Sequence, residues 1–200
     1  DGLLPGVGEL RGLVCGANGA DGSGLRRSQV QLVVTPIWPP LPQLQAYHSS
    51  VLIDGVEYSF SNRGMAMAEC PRSHLAFSSR LEATMFIDYG THLVDIQAFR
   101  SVMRQHFVAG TYDMLQKNCN SFTDTALQLL TGQRLPPMYR RLEALGYEVD
   151  KRANLVQAAT VGAYEPNPSA DGFDASRVAH ACHLEVAGAV RVPSMWPHFC

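Results

Sequence analysis

Tyr47-His48-Ser49-Ser50-Val51-Leu52-Ile53-Asp54-Gly55-Val56-Glu57-Tyr58-Ser59-Phe60 is the stretch whose reading decides the fold. Two β-rich runs flank an Asp-Gly pair, and a two-residue type I′ turn needs positive φ at both central positions, which Asp and Gly tolerate. The stretch therefore reads as a hairpin. It places His48 near the outer end of the first strand, away from the turn. Upstream, Val30, Leu32 and Val34 alternate with Gln31 and Val33 in a strand that begins at Gln29 and is ended by Thr35-Pro36. The Pro-rich piece from Pro36 to Pro42 reads as loop, with Trp38 as a ring that anchors it to the core or meets a partner. Residues 1–28 carry eight glycines, too many to form a helix or strand cheaply, and read as a flexible leader.

Downstream, a strand is expected at Thr84 to Ile87, closed by Asp88-Tyr89-Gly90. Asp95 can cap a helix whose apolar positions Ile96, Phe99, Met103 and Phe107 share one face, ending before Gly110. A second helix carries Phe122, Ala126, Leu129 and Leu130 on one face and stops at Gly132, ahead of Pro136-Pro137. A short helix from Met138 to Leu145 would end at Gly146. Leu155 to Ala163 could form one more, while Glu165 to Ala170 and Pro193 to Cys200 look irregular. The expected organisation is a leader over 1–28, a domain over 29–147 and a partly irregular extension over 148–200. The fold class is α+β, a small antiparallel sheet packed against helices.

The chain has 200 residues, 46% of them hydrophobic and 17% charged, with 16 basic and 18 acidic side chains for a net charge of -2. That length buries a core without disulfide staples, and the balance offers no basic footprint for nucleic acid or anionic lipid. No apolar run approaches the roughly 18 residues of a membrane span. Five cysteines with no CxxC argue for reduced thiols, hence an intracellular, cytoplasmic setting with the nucleus as a second one. The chain opens on Asp1 rather than Met, so a missing N-terminus and a lost targeting segment stay open.

Cys119 is the thiol that invites chemistry. The second helix begins at it, and free N–H groups together with the macrodipole stabilise a thiolate at such a place. The plainer alternative is a buried small hydrophobe. A thiol nucleophile needs an imidazole to take and return a proton, and His48 is available for that. Of the other six histidines, His74, His92 and His106 fall in expected loop or helix-surface positions. His180, His183 and His198 lie in the tail. The tail group His180-Ala181-Cys182-His183 with His198 and Cys200 has metal-ligand residue types at spacings that match no familiar zinc pattern, so no metal and no cofactor is expected.

The words around these two residues carry a family resemblance. Tyr47 to Ile53 with Gly55 to Phe60, and Tyr112-Asp113-Met114-Leu115-Gln116-Lys117-Asn118-Cys119-Asn120-Ser121-Phe122, closely resemble the two signature blocks of the PPPDE superfamily, the DeSI-type desumoylating isopeptidases. The resemblance takes in Ile87 to Thr91 and the exit Leu130 to Pro136, and covers about Val30 to Gly146 in the right order. It implies a papain-like cysteine peptidase fold with permuted order, His before Cys. Cys119 would be the nucleophile and His48 the general base and acid of a dyad. The substrate bond would join the C-terminal glycine of SUMO or ubiquitin to a lysine of a conjugated protein. One departure stands out. Family members often carry glycine directly after the aromatic strand, where this chain reads Ser61-Asn62-Arg63-Gly64.

Acyl transfer of this kind needs oxyanion donors, and the Cys119 backbone N–H is one. Gln116, Asn118 and Asn120 are candidates for a second, although Asn118 is the better helix cap. No carboxylate is evidently placed to orient His48, since Asp88 and Asp95 read as turn and cap residues. Two rivals remain at this level: a protein S-acyl (palmitoyl) thioesterase using the same dyad, and an inactive binding module on the same fold. Whether the cleft forms in one chain or across a homodimer is left open by the sequence.

Overall fold

The computed structural model describes residues 24–37, 45–78, 81–153 and 164–181. The elements in chain order are strands β1 (Leu25–Pro36), β2 (Tyr47–Ile53), β3 (Val56–Ser61) and β4 (Gly64–Ala68), then β5 (Met85–Asp95), and helices α1 (Ile96–His106), α2 (Cys119–Thr131) and α3 (Arg141–Ala153). Short 3-10 turns cover Arg72–Ala76, Pro137–Arg140 and Pro168–Ala170. The strands form one sheet in the order β4-β3-β2-β1-β5, and every pairing is antiparallel. The fold is α+β, as the sequence implied. Among the described residues no helix is long and apolar enough to cross a membrane.

The β2–β3 hairpin turns on Asp54 (φ 50°) and Gly55 (φ 81°), the two positive angles that a type I′ turn requires. Period-2 alternation then sorts the sheet into two faces. One carries Val30, Leu32, Val34, Val51, Ile53, Tyr58 and Phe60 into a core shared with Phe99 and Met103 of α1 and Phe122, Ala126 and Leu127 of α2. Phe107 lies edge-on to both Phe60 and Phe122, with ring centroids 5.0 Å away in each case. The other face carries Val33, Leu52 and, toward one end, the polar side chains of His48, Ser50 and Glu57, all buried.

Several expectations need correction. The first strand begins at Leu25, not Gln29, because Leu25 to Ser28 pair with Asp95 to His92 of β5; the rest of the expected leader, residues 1–23, lies outside the described residues. Asp88-Tyr89-Gly90 does not close a strand. β5 runs through it with a register shift opposite Val30/Gln31, and Gly90 (φ 88°) and the Asp88 Oδ1···H–N Gly90 contact shape a bulge. Turn chemistry was spent inside the ladder. β4 has no counterpart in the sequence reading. It forms because Asn62-Arg63 turn the chain after Ser61 and Gly64 takes φ 87°, where a Cβ would approach the Ala109 backbone nitrogen to 3.0 Å. The Ser61 to Gly64 departure is thus the β3–β4 connection.

The expected short helix becomes a 3-10 turn followed by α3, which passes through Gly146 to Ala153, so a boundary after Tyr147 falls inside a helix. Residues 175–181 are helical, and 164–181 are tied to the domain. Asp113 accepts from Asn167 N (2.9 Å) and from Tyr164 Oη, and the Asn167 amide donates to the Gly110 and Tyr112 carbonyls. The expectations for Trp38, for Leu155 to Ala163 and for the tail beyond Ala181 lie outside the described residues.

Candidate active site

Local chemistry builds the Cys119 side of the site. Asp113 Oδ1 accepts from the Leu115 and Gln116 N–H groups at 2.8 Å each, and Asp113 and Lys117 exchange backbone bonds, so residues 113–117 close a tight loop. Asn118 follows in extended conformation and caps α2. Its Oδ1 accepts from Ser121 N at 3.0 Å and its Nδ2 donates to the Met114 carbonyl at 2.8 Å. Cys119 is therefore the first residue of α2, with its own N–H free of the helix ladder.

Asn120 points the other way and is wholly buried. It accepts from Ser49 Oγ at 2.5 Å, and its Nδ2 faces the Tyr47 carbonyl (3.0 Å), the Tyr139 carbonyl (3.1 Å) and Glu143 Oε1. One amide thus joins α2 to β2, to the Pro137–Arg140 turn and to α3. With Asn118 in the cap and Asn120 saturated, neither amide is available as an oxyanion donor. Gln116 lines a cavity of about 690 Å³ together with Ser121, Arg140 and Glu143.

The sheet opens where Cys119 reaches it. β2 and β3 pair only over Val51 to Ile53 with Tyr58 to Val56. Ladder alternation points the Ser49 N–H to the β3 side, where its strand partner is missing. That N–H meets the Cys119 sulfur, as do Tyr112 and the Asn120 N–H, and all three favour the thiolate. They are outweighed. The thiol is 5% exposed, and burial, reinforced by the Glu143 charge, pushes its pKa up to about 11. The helix start does not make a resting thiolate, contrary to the expectation from sequence, because desolvation exceeds what the helix end supplies. Tyr112, beside the sulfur, is also pushed up, by burial first and then by Cys119.

His48 precedes Ser49 and so projects from the opposite face of β2. It is 7% exposed, and burial pulls its pKa down to about 4, so the ring is neutral near pH 7. Its Nε2 lies 2.7 Å from Ser73 Oγ, and its ring packs against His74 (4.6 Å between centroids) and Phe77 (4.9 Å). Among the described residues no hydrogen bond joins His48 to Cys119. The Ser49 N–H that meets the sulfur belongs to the residue after His48, so the thiol and the imidazole are neighbours along β2 without being coupled.

Three site residues escaped the sequence reading. His74, expected in a loop or on a surface, is fully buried. Its Nδ1 is 2.7 Å from Thr35 Oγ1, its Nε2 is 2.9 Å from Ser50 Oγ, and burial followed by His48 lowers its pKa to about 3. Glu57 lies beneath Ser73 and is 1% exposed. Glu143 is raised to about 7, by burial first, against the lowering hydrogen bonds of Asn120 and Asn118 and the charge of Arg140. The alternation in Val56 to Phe60 could have placed Glu57 on the His48 face. Nothing local signals the other two.

Residues 37–160 match the PPPDE putative peptidase domain. The chain belongs to this family. The PPPDE domain therefore contains the hairpin, the sheet opening, α2 and both Cys119 and His48. Over 109 residues, 52% of this chain, the sequence is 28% identical to the DeSI-like protein sdu1 of Schizosaccharomyces pombe. The chain spans about half, 54%, of that relative.

Proposed function

We propose that this chain is a thiol isopeptidase of permuted papain-like type that removes SUMO, or alternatively ubiquitin, from conjugated proteins in the cytoplasm. Family membership supports a peptidase, and the DeSI-like relative favours SUMO. The single observation that carries the reading is the placement of Cys119 at the first turn of α2, seated at the break between β2 and β3 beside the strand that bears His48.

In this mechanism the Cys119 thiol turns toward the imidazole as substrate enters, and His48 takes its proton while sulfur attacks the carbonyl. Both groups start neutral, so the proton moves with the attack instead of resting on a preformed ion pair. The Cys119 N–H holds the oxyanion. His48 returns the proton to the leaving lysine amine, and water releases the modifier from the thioester.

A second reading has its own support. The nearly buried sulfur and its lack of a bond to His48 fit a binding module that retains the fold without turnover. An S-acyl thioesterase is the third reading: a cavity near α2 has an apolar wall of Leu115, Leu135, Pro137, Ala144 and Phe173 beside the charged Asp124, Arg134, Arg140 and Glu143, but Cys119 does not line it. Intact-mass labelling with SUMO and ubiquitin bearing a thiol-reactive C-terminal group decides among them. Labelling of wild type, abolished in Cys119→Ala and slowed at least about 100-fold in His48→Ala, is the expected result. Absence of labelling by either modifier overturns the isopeptidase reading, and turnover of an S-acylated protein then separates the thioesterase from the binding module.

A further inference from the structure

The polar groups on the His48 side of β2 form a chain that ends at the ring. Both oxygens of the buried Glu57 carboxylate are used by one residue: Oε1 accepts from Ser73 Oγ at 2.6 Å and Oε2 from Ser73 N at 3.0 Å. A serine hydroxyl has one hydrogen. Since it goes to Glu57, the Ser73 oxygen meets His48 Nε2 at 2.7 Å as an acceptor, and the imidazole proton lies on Nε2. A neutral ring carries only one N–H, so Nδ1 keeps the lone pair. His74 does not compete for Ser73, because Thr35 and Ser50 occupy both of its nitrogens; its Nε2 lies 3.6 Å from Glu57 Oε1. Packing against His74 and Phe77 restrains the plane of the His48 ring.

We propose that Glu57, acting through Ser73, is the positioning residue for His48: the relay fixes the Nε2–H tautomer and leaves Nδ1 as the nitrogen that exchanges a proton with Cys119. The proposal rests on the isopeptidase reading above and gives the dyad a third and a fourth member. When the thiol proton passes to Nδ1, the ring becomes an imidazolium whose Nε2–H stays on Ser73. The Ser73 proton stays on its oxygen, and the Glu57 charge one hydroxyl away stabilises the new cation. The same Nδ1 proton then leaves with the amine, and the relay ends as it began.

The test combines a spectroscopic and a kinetic readout. Long-range ¹H–¹⁵N correlation of the histidine rings at pH 7.5 should show His48 as the Nε2–H tautomer in wild type and in Ser73→Thr, and as a mixture in Ser73→Ala. With SUMO bearing a C-terminal fluorogenic amide, Ser73→Ala and Glu57→Gln should each lower kcat about 10- to 100-fold with KM near wild type, as loss of a partner that orients an imidazole does. Ser73→Thr should recover most of the rate. Glu57 is buried and its variant could fold poorly, so Ser73→Ala, with its partly exposed side chain, is the primary comparison. An Nδ1–H tautomer in wild type overturns the proposal. So does an inactive His48→Ala beside a Ser73→Ala that keeps both the wild-type tautomer and the wild-type kcat. Wild-type turnover by His48→Ala would instead remove the isopeptidase reading itself, and the proposal with it.

Discussion

Ser49 and Ser50 are neighbours in β2, yet they face two different buried polar clusters: Ser49 donates to Asn120 on α2, whereas Ser50 meets His74 on the Arg72–Ala76 turn. The first cluster holds the thiol together with a carboxyl, Glu143, whose pKa is raised. The second holds two imidazoles whose pKa values are lowered. Burial acts in both and disfavours whichever form is charged, so it moves acids up and bases down. A single strand thus separates a cluster that resists losing protons from one that resists gaining them. A proton transfer from Cys119 to His48 runs against both preferences, which places the burden of catalysis on what substrate binding does to this opening.

The largest effect on this comparison should come from Asn120→Ala. The change leaves the Ser49 hydroxyl and the Tyr47 and Tyr139 carbonyls without their shared partner, at a cost of about 2 to 4 kcal/mol in denaturant unfolding. A loss under about 1 kcal/mol would mean that water or a neighbour replaces the amide, and that α2 and β2 are not stapled through it.

The two clusters also differ in how far the sequence reveals them. The hairpin, the capping roles of Asp95 and Asn118 and the stop at Gly132 are local events, each written in a few adjacent residues. They put Cys119 at a helix start and His48 at a strand end before any coordinates are known. The bulge at Gly90 and the turn before Gly64 use the same residue types, but a bulge and a strand end are alike in local composition, and only the partner strand distinguishes them. His74 and Glu143 are harder still. A histidine in Arg72–Ala76 and a glutamate in α3 look like solvated side chains, and their burial depends on elements far away in the chain. The raised thiol pKa follows from the same limit, since desolvation is a property of the packed whole.

Acid should expose the second cluster next. His48 and His74 have folded pKa values below the unfolded value of 6.5, so the unfolded chain binds more protons as pH falls. Their contribution is fully present above about pH 6.5 and is lost as pH falls toward 4 and 3. Each histidine should lower the unfolding free energy at pH 5 relative to pH 7.5 by roughly 2 kcal/mol, Glu143 titrating in the opposite sense offsets part of the sum, and His74→Asn should flatten the slope. An unchanged slope in that variant would assign the acid sensitivity to other groups.

Glu143→Gln tests the first cluster with the smallest change and the opposite sign. Glu143 has a folded pKa of about 7, above its ordinary 4.5, so its carboxyl favours the fold while protonated. That contribution is present below about pH 4.5 and is lost as pH rises through 7. Gln keeps an oxygen for the Asn120 amide and removes the titration, so the stability of the variant relative to wild type should grow between pH 5 and pH 8. The thiol should report the same event. Above pH 7 the ionised Glu143 opposes the Cys119 thiolate, and its removal should speed alkylation of Cys119 by iodoacetamide about threefold at pH 8. At pH 6 the wild-type carboxyl is mostly protonated, and the two rates should converge. A ratio that stays constant from pH 6 to pH 8 would detach Glu143 from the sulfur and leave burial alone to hold the thiol protonated.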